Sequence, residues 1–319
     1  MKALIIGVSG QDGSYLARFL LKKGYSVAGT SRSADENSFN NLRHLGIYGR
    51  VELRQLSIVD FTSVVNTLLA YRPDEIYNLA GQSSVGLSFR QPLETVESIV
   101  TGTLNILEAI RQIGLTSRYY NAGSSECFGD TGGQAATIDT PFRPRSPYAV
   151  AKCAAHWHVA NYRDAYGLHA CTGVLFNHES PLRQERFVTM KTIATVARIR
   201  SGSRERLRLG NIDIRRDWGW APDFVEAMWL LLQEERAQDC VIATGVSASL
   251  REFVARAFEI QQLDWREYVD IDTSLYRPAD ILSNLGNPLA AQRTIGWVAK
   301  TKMPALVDRL SQEWVRFGG

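Results

Sequence analysis

Short runs of apolar and β-branched residues alternate with longer segments of helical spacing through the first half of the chain. The short runs predict strands at residues 3–6, 26–30, 51–56, 75–78 and 118–122. The longer segments predict helices at residues 15–23, 61–71 and 101–114. Because each crossover between strands is long enough for a helix, this pattern predicts an α/β protein with a doubly wound parallel sheet covered on both faces.

The second half begins regularly and then changes character. A long helical pattern at residues 146–166 precedes a strand-like run at 170–175. Beyond residue 177 the pattern is less regular, with arginine-rich loops, turns at Gly202 and Gly210, and helices near 224–234 and 250–261. We therefore expect a Rossmann-like domain over residues 1–175 and a smaller C-terminal lobe built mainly from 176–319, with some later segments returning to the first domain.

Composition narrows the class of protein. The 319 residues are 45% hydrophobic and 22% charged, which is enough to bury a sizeable core, and the formal charge of +3 does not favour a nucleic-acid partner. The four cysteines form no CxxC pair, so we expect no metal site and a reduced, cytoplasmic setting. No apolar run approaches the ~20 residues that span a bilayer, so no membrane partner is expected.

The first strand leads into the sequence Gly7-Val8-Ser9-Gly10-Gln11-Asp12-Gly13. Glycines at this spacing allow a tight turn, and the following helix start offers free N–H groups to a pyrophosphate. A glycine triplet alone is also compatible with an ordinary strand-to-helix turn. The motif therefore indicates a dinucleotide cofactor only in combination with other signals.

The end of the second strand reads Gly29-Thr30-Ser31-Arg32. An NAD-specific site commonly has an acidic residue at this point for the ribose hydroxyls, whereas an arginine can pair with a 2′-phosphate. Arg32 therefore favours NADP over NAD. The alternative is a solvated surface arginine.

Tyr148 and Lys152 stand four residues apart in the long helix, which puts a phenol and an ammonium on one helix face. An ammonium near the phenol and near oxidised nicotinamide favours the phenolate, which can take a proton from a sugar hydroxyl as hydride leaves. A surface Tyr/Lys pair is the alternative. The surface pair is less favoured here because a Ser-Ser-Glu turn lies about 20 residues upstream and a glycine-rich turn follows the first strand.

Longer motifs resemble the GDP-mannose 4,6-dehydratase family of extended short-chain dehydrogenases/reductases. The resemblance covers nearly the whole chain and is carried by Gly10-Gln11-Asp12-Gly13, Tyr77-Asn78-Leu79-Ala80-Gly81-Gln82-Ser83, Ser124-Ser125-Glu126, Pro141-Phe142-Arg143-Pro144-Arg145-Ser146-Pro147-Tyr148, Leu175-Phe176-Asn177-His178-Glu179-Ser180-Pro181, Leu209-Gly210-Asn211 and Arg216-Asp217-Trp218-Gly219. It implies a lyase that moves hydride from C4 of a GDP-hexose to NADP, loses water across C5–C6 and returns hydride to C6.

The resemblance also implies a set of site residues. The catalytic positions are Ser124, Glu126, Tyr148 and Lys152, with Glu126 as the base at C5. The cofactor positions are Gly7, Gly10, Gln11, Asp12, Gly13, Arg32, Ser57, Ile58, Leu79, Ala80, Gly81, Gln82, Ser83, Tyr148, Lys152, His178 and Arg183. The GDP-sugar positions are Ser83, Ser125, Asn177, Val188, Lys191, Leu209, Gly210, Arg216, Arg277 and Asp280. Glu126 could instead be an exposed carboxylate or a helix cap, and any single arginine a surface charge.

Two departures from the family concern the cofactor and the assembly. The family usually has two adjacent arginines after the second strand, and the second reaches a neighbouring subunit. Here Ser33 follows Arg32, so a homodimer is expected, with a tetramer possible. Ser57-Ile58 replaces an Asp-Leu pair, which removes a carboxylate near the adenine and predicts weaker cofactor binding.

Three more departures concern the substrate. Met190 stands at a family arginine, Asp280 at a family glutamate, and Cys127 at a larger apolar residue, where it either reshapes the sugar pocket or, as we favour, simply packs. These changes leave open a GDP-hexose or GDP-heptose other than GDP-mannose. The other open functions are a GDP-4-keto-6-deoxyhexose reductase, a GDP-sugar epimerase and a non-catalytic NADP-binding sensor or scaffold.

Overall fold

A computed structural model describes residues 1–33 and 36–316. The strands are β1 Lys2–Ile6, β2 Ser26–Ser31, β3 Glu52–Gln55, β4 Glu75–Asn78, β5 Arg118–Ala122, β6 Ala135–Ala136, β7 Ala170–Leu175, β8 Asn177–Glu179, β9 Leu207–Leu209, β10 Arg215–Trp220, β11 Cys240–Ile242, β12 Ser247–Ser249, β13 Val269–Ile271 and β14 Ser283–Gly286. The helices are α1 Gln11–Lys22, α2 Asn40–His44, α3 Phe61–Tyr71, α4 Val85–Ser88, α5 Pro92–Val96, α6 Gly102–Ile113, α7 Pro147–Tyr166, α8 Val188–Arg200, α9 Ala221–Gln233, α10 Leu250–Ile260, α11 Leu289–Ile295 and α12 Ala305–Arg316.

The larger sheet has seven parallel strands in the order β11-β7-β5-β4-β1-β2-β3. Two apolar clusters cover its two faces, one packed around α1 and α9 and the other around α3 and α6. Chain order reverses beside β1, and ligands of such sheets bind at the carboxyl ends of the strands near this reversal. The predicted Rossmann-like doubly wound sheet is confirmed.

A smaller sheet is built mainly from the second half of the chain. Its strand order is β12-β10-β14-β6, and β10 also pairs with β8. A third apolar cluster packs α8, α10 and α12 around β10. The two sheets do not follow the order of the chain. Strand β11, from the second half, joins the larger sheet, whereas β6, from the first half, joins the smaller one.

The sequence pattern missed some of the second half. Beyond residue 177 the pattern predicts helices near 224–234 and 250–261 among loops and turns, but it does not predict α8, which spans thirteen residues. Met190, Ile193, Val196 and Ile199 recur every three residues and are all buried, which is a helical apolar stripe. Intervening arginines and threonines obscured that stripe in the sequence.

No helix among residues 1–33 and 36–316 is long and apolar enough to cross a membrane. All four cysteines are free thiols.

Candidate active site

The glycine turn brings backbone close to backbone at the carboxyl end of β1. Gly7 has φ +93°, and a Cβ at Gly7 would lie 3.0 Å from the Ala80 nitrogen. A Cβ at Gly13, in the first turn of α1, would lie 2.3 Å from the Gly7 carbonyl oxygen. Only glycine allows this approach. Helix α1 therefore begins at Gln11, close to the carboxyl end of β1. This cradle fits the pyrophosphate of a dinucleotide.

Hydrogen bonds tie the same turn to β8 and the loop that follows it. Gln11 Nε2 donates to the His178 carbonyl at 3.1 Å, and Ser180 Oγ donates to Gln11 Oε1 at 2.8 Å. His178 Nδ1 lies 2.7 Å from the Phe176 carbonyl oxygen and Nε2 lies 2.9 Å from Asp12 Oδ2. Since both ring nitrogens face acceptors, each must carry a proton to donate, and the ring is an imidazolium.

The pKa values of the pair agree with that assignment. Burial lowers the pKa of His178, but the Asp12 carboxylate more than offsets it, so the pKa is raised. Burial raises the pKa of Asp12, but His178 outweighs it and the pKa is lowered. The Asp12–His178 pair therefore joins the glycine turn to the smaller sheet.

Tyr148 and Lys152 lie in the first two turns of α7. Ser146 begins this helix by accepting a hydrogen bond from the Ala149 backbone N–H at 3.1 Å, and Pro147 occupies the first helical position. The Lys152 ammonium donates to the Ala122 carbonyl oxygen at 2.8 Å and lies 5.9 Å from the centre of the Tyr148 ring. The predicted phenol–ammonium pair is thus held at the end of β5.

Ser124 and Glu126 come from the turn directly after β5. Ser124 Oγ accepts from the Glu126 backbone N–H at 3.3 Å and begins a single 3₁₀ turn over Ser125–Phe128. The Ser124 hydroxyl also lies near enough to the Tyr148 phenol to lower its pKa. Ser124 and Tyr148 are buried, whereas Glu126 is half-buried beside them. The turn therefore presents a hydroxyl and a carboxylate to the space in front of Tyr148.

The protein by itself keeps the phenol protonated. Burial raises the pKa of Tyr148, and the Ser124 hydroxyl lowers it only in part. Burial lowers the pKa of Lys152 to about 8. In the protein alone the Lys152 ammonium is bonded to a carbonyl and does not outweigh burial of the phenol. The phenolate in the presence of oxidised nicotinamide stays a prediction.

A cavity of about 400 Å³ lies between the two sheets and is lined by all four predicted catalytic residues. It also contains the predicted positions Asp12, Leu79, Ala80, Gly81, Gln82, Ser83, Ser125, Asn177, His178, Arg183, Val188, Lys191, Leu209, Gly210, Arg216, Arg277 and Asp280. Its size suits a small polar ligand. Residues that are separated by up to 268 positions in the chain therefore share one space (Asp12 to Asp280).

One wall of the cavity is cationic. Arg216 is 4% exposed, and its Nη1 donates to the Ile281 carbonyl oxygen at 2.8 Å. Its Nη2 lies 3.8 Å from Asp280 Oδ1 without a hydrogen-bond partner among residues 1–33 and 36–316. Burial lowers the pKa of Arg216. A buried guanidinium with a spare donor on a cavity wall is suited to bind an anion.

Lys191 and Arg277 add positive charge to the same wall. The Lys191 ammonium donates to the Arg208 carbonyl oxygen at 2.6 Å, and its pKa is lowered by burial and by Arg208. Arg277 is exposed at the rim. Within the described residues no cluster of His, Cys, Asp or Glu could hold a metal ion.

Other predicted cofactor positions lie outside the cavity wall, namely Gly7, Gly10, Gln11, Gly13, Arg32, Ser57 and Ile58. They follow the carboxyl ends of β1, β2 and β3, where the far half of a dinucleotide would extend. The Arg32 side chain is 78% exposed and pairs with Glu94 at 3.2 Å. Ile58 is buried against Gly102, where a Cβ would lie 2.7 Å from Ile58 Cδ1.

Two departures from the family pattern can now be located. Met190 is fully buried in the apolar cluster around β10, away from the cavity. Cys127 is buried against Cys153 and the Ala149 carbonyl and does not line the cavity. Both residues pack, so neither reshapes the sugar pocket directly.

Sequence reasoning missed several residues on the cavity wall, including Glu179, Arg186, Phe187, Arg208 and Asn211. Glu179 and Asn211 belong to motifs that carry the family resemblance. The motifs could have identified them, although the resemblance assigned them no role. Arg186 lies in an arginine-rich loop, where nothing in the sequence distinguishes it from a surface charge. This loop lines the cavity because it directly precedes α8, whose first residues also line it.

Known proteins match this fold and these motifs. A family model described as GDP-mannose 4,6 dehydratase matches residues 4–310. GDP-mannose 4,6 dehydratase 1 of Arabidopsis thaliana is 44% identical over 98% of this chain and 89% of its own length. GDP-mannose 4,6-dehydratase of Vibrio cholerae is 41% identical, covering 98% of this chain and 93% of that protein. UDP-glucose 4-epimerase of Thermus thermophilus, in complex with NAD, matches with a TM-score of 0.86 and 25% identity over 99% of each chain. The chain belongs to the GDP-mannose 4,6-dehydratase family.

Proposed function

We propose that the protein is a GDP-mannose 4,6-dehydratase that converts GDP-mannose to its 4-keto-6-deoxy derivative and water. One observation carries this proposal. Glu126 opens into the same cavity as Ser124, Tyr148 and Lys152, and the cations Lys191, Arg216 and Arg277 line that cavity as well. Proton removal at a hydroxyl and at a carbon needs two bases beside one sugar, and a nucleoside diphosphate needs cations.

The first step is assigned to Tyr148 and Ser124. A bound nicotinamide dinucleotide supplies the chemistry of accepting hydride from C4 and later returning it to C6. Tyr148 takes the C4 hydroxyl proton, and the nearby Ser124 hydroxyl stabilises the C4 oxygen as its charge develops. Lys152 donates to Ala122 and remains a nearby source of positive charge.

Glu126 is assigned to the elimination. A carbonyl at C4 acidifies the C5–H bond, so a half-buried carboxylate beside it can remove that proton. The C6 hydroxyl then leaves with a proton as water, and a proton is later returned to C5. Tyr148 cannot also serve at C5 while it holds the proton from O4. A separate carboxylate in the same space is therefore what distinguishes dehydration from simple oxidation.

Arg216, Lys191 and Arg277 are assigned to the diphosphate and its nucleoside. The spare Nη2 of Arg216 can bind a phosphate oxygen at a site where burial strengthens the interaction. Asp280 beside it is a hydrogen-bond acceptor for a ribose hydroxyl. This arrangement anchors the substrate at one end and leaves the hexose facing Tyr148 and Glu126.

The reductase, epimerase and GDP-heptose alternatives are less favoured, because the curated relatives at 41–44% identity are named as GDP-mannose dehydratases. The test is to incubate the purified protein with GDP-mannose without added NADPH. The expected product is a 4-keto-6-deoxy sugar nucleotide, formed over many turnovers without net cofactor consumption. Product that forms only in proportion to added NADPH would contradict the dehydratase assignment and favour a reductase.

We also infer that NADP is preferred over NAD. The reason is Arg32, whose mostly exposed guanidinium follows β2 at the point where the adenine ribose of a dinucleotide would lie. Replacing Arg32 with Ala should weaken NADP binding and leave NAD binding nearly unchanged, as measured by titration calorimetry. Equal weakening of both cofactors would remove the 2′-phosphate role.

A homodimer is proposed through the outer faces of α5 and α7, which pack side by side. Trp157 is 63% exposed and Leu93 79% exposed on these helices, and Val150 lies two turns before Trp157 on the same face. Contiguous exposed apolar residues of this kind mark interaction surfaces. The variant Trp157→Glu should shift the molar mass in light scattering from dimer towards monomer, and an unchanged mass would contradict this surface.

A further inference from the structure

Asn284 is a buried polar residue outside the cavity wall. It is 1% exposed and lies in β14, where it stands opposite Arg216 in the parallel pairing with β10. Its side-chain Nδ2 donates to the Ser125 carbonyl oxygen at 3.1 Å and to the Gly129 carbonyl oxygen at 3.3 Å. These two carbonyls flank the turn that carries Glu126. One amide group thus spans the turn from its first residue to the residue that follows it.

Further contacts make β14 the support of that turn. The Thr131 backbone N–H donates to the Ser283 carbonyl oxygen at 2.9 Å, and the Leu282 backbone N–H donates to Asp130 Oδ2 at 3.1 Å. Asn284 is the only side chain among residues 1–33 and 36–316 that is recorded as donating to either of the two flanking carbonyls, Ser125 or Gly129. Asn284 therefore joins β14 to the turn that carries Glu126.

Stability alone does not account for an amide at this point. Asn284 Oδ1 is buried without a hydrogen-bond partner among the described residues. An unpartnered buried acceptor is destabilising, and an apolar side chain of similar size would avoid that cost, although it would leave the Ser125 and Gly129 carbonyl oxygens without this donor. The Nδ2 group of the same amide donates two hydrogen bonds to the turn. Positioning of the turn therefore explains an asparagine here, whereas packing does not.

We propose that Asn284 is a positioning residue for Glu126 in the elimination step, a role that rests on the proposed function. It does not touch the substrate. It holds the carboxylate at the reach required for C5–H, while the same strand pairing holds Arg216 against the diphosphate. Loss of its two hydrogen bonds should therefore slow proton removal at C5 and leave binding of cofactor and GDP-mannose nearly unchanged.

The test uses the holoenzyme and GDP-mannose with either hydrogen or deuterium at C5. Asn284→Leu keeps the volume and removes the donor, and Asn284→Ala removes the donor without adding a branched side chain. Misplacing a catalytic group by about 1 Å can cost about 100-fold in rate, so kcat should fall by about 10- to 100-fold with KM changed less than about twofold. The C5 deuterium isotope effect on kcat should rise, and reduced cofactor should accumulate as a near-ultraviolet absorbance.

Asn287→Leu is the matched control. Asn287 lies one residue beyond β14 and its Oδ1 accepts from the Leu289 backbone N–H at 3.0 Å, with no recorded bond to the Glu126 turn. This variant should keep the wild-type isotope effect. An unchanged isotope effect in both folded Asn284 variants, or one that rises equally in Asn287→Leu, would overturn the positioning role. If Asn284→Leu does not fold, Asn284→Ala decides the result.

Glu126→Gln separates failure of this inference from failure of the proposed function. It should allow hydride transfer from C4 and stall before water is lost. If Glu126→Gln forms product at the wild-type rate, Glu126 is not the base at C5 and the proposed mechanism fails together with the role of Asn284. If Glu126→Gln stalls and the Asn284 variants behave as wild type, only the positioning role fails.

Discussion

Replacing Lys152 with Met should abolish turnover and, at the same time, stabilise the cofactor-free protein at pH 7. Burial lowers the pKa of Lys152 from 10.5 to about 8. At 1.36 kcal/mol per unit this is a cost of about 3 kcal/mol for the charged form, which we halve because the side chain is only part-buried in the cavity wall. Loss of the bond to the Ala122 carbonyl oxygen offsets about 0.5–1 kcal/mol. The expected net gain is about 1 kcal/mol.

The pH dependence of stability provides the sharper measurement. Because the pKa of Lys152 is lower in the folded chain, the unfolded chain binds more protons between pH 8 and 10.5. The destabilising contribution of Lys152 to the wild-type free energy of unfolding should therefore shrink as pH rises through this window. The stability advantage of Lys152→Met over wild type should disappear towards pH 10.5. Urea unfolding of dinucleotide-free protein at both ends of the window measures this difference.

Lys22→Met is the control, because Lys22 is exposed at the end of α1 and should show no such convergence. If Lys152→Met is less stable than wild type at pH 7 by 1 kcal/mol or more (roughly the size of the expected gain), the buried ammonium is not a net cost and the reasoning is wrong. The same holds if the stability difference between Lys152→Met and wild type stays constant with pH.

Three other changes test the site. Tyr148→Phe should keep cofactor affinity in calorimetry while kcat falls by about 100-fold or more, since only the proton acceptor is lost; appreciable turnover would move the base elsewhere. Arg216→Met should weaken GDP binding by about 10- to 100-fold in calorimetry, whereas Arg215→Met, on the exposed side of the same strand, should change it little. Gly13→Ala should lose about 1–3 kcal/mol of unfolding free energy because its Cβ meets the backbone, whereas Gly49→Ala, with open space around it, should not.

Much of the larger sheet could be predicted from the sequence, because its strands are buried on both faces and form short apolar runs. Strands at 75–78, 118–122 and 170–175 and the helix at 61–71 have the predicted bounds. The start of α1 was predicted at residue 15, but the helix begins at Gln11, directly after the glycine turn. Polar and glycine residues in that first turn serve the turn rather than the apolar stripe, so periodicity does not detect them.

The site was harder to predict, because its geometry depends on contacts between distant segments. The motifs led to Tyr148, Lys152 and Glu126, since each motif is local in the chain. Asn284 lies in no motif, and its partners Ser125 and Gly129 are 159 and 155 residues away. The Asp12–His178 ion pair joins residues that are 166 apart. Individual residues of such pairs can be named from sequence, but the hydrogen bonds that orient them require the fold.

Strand β10 links these distant elements. It pairs with β8, which carries His178 to the glycine turn, and with β14, which carries Asn284 to the Glu126 turn, while its own Arg216 faces the cavity. Neighbouring side chains on a strand point to opposite faces, so Arg215 is exposed where Arg216 is buried. A slip of one residue in β10 would exchange these two arginines and shift β8 and β14 against the larger sheet. The register of this one strand therefore sets the spacing between the glycine turn, Arg216 of the proposed diphosphate site and Glu126, the proposed base at C5.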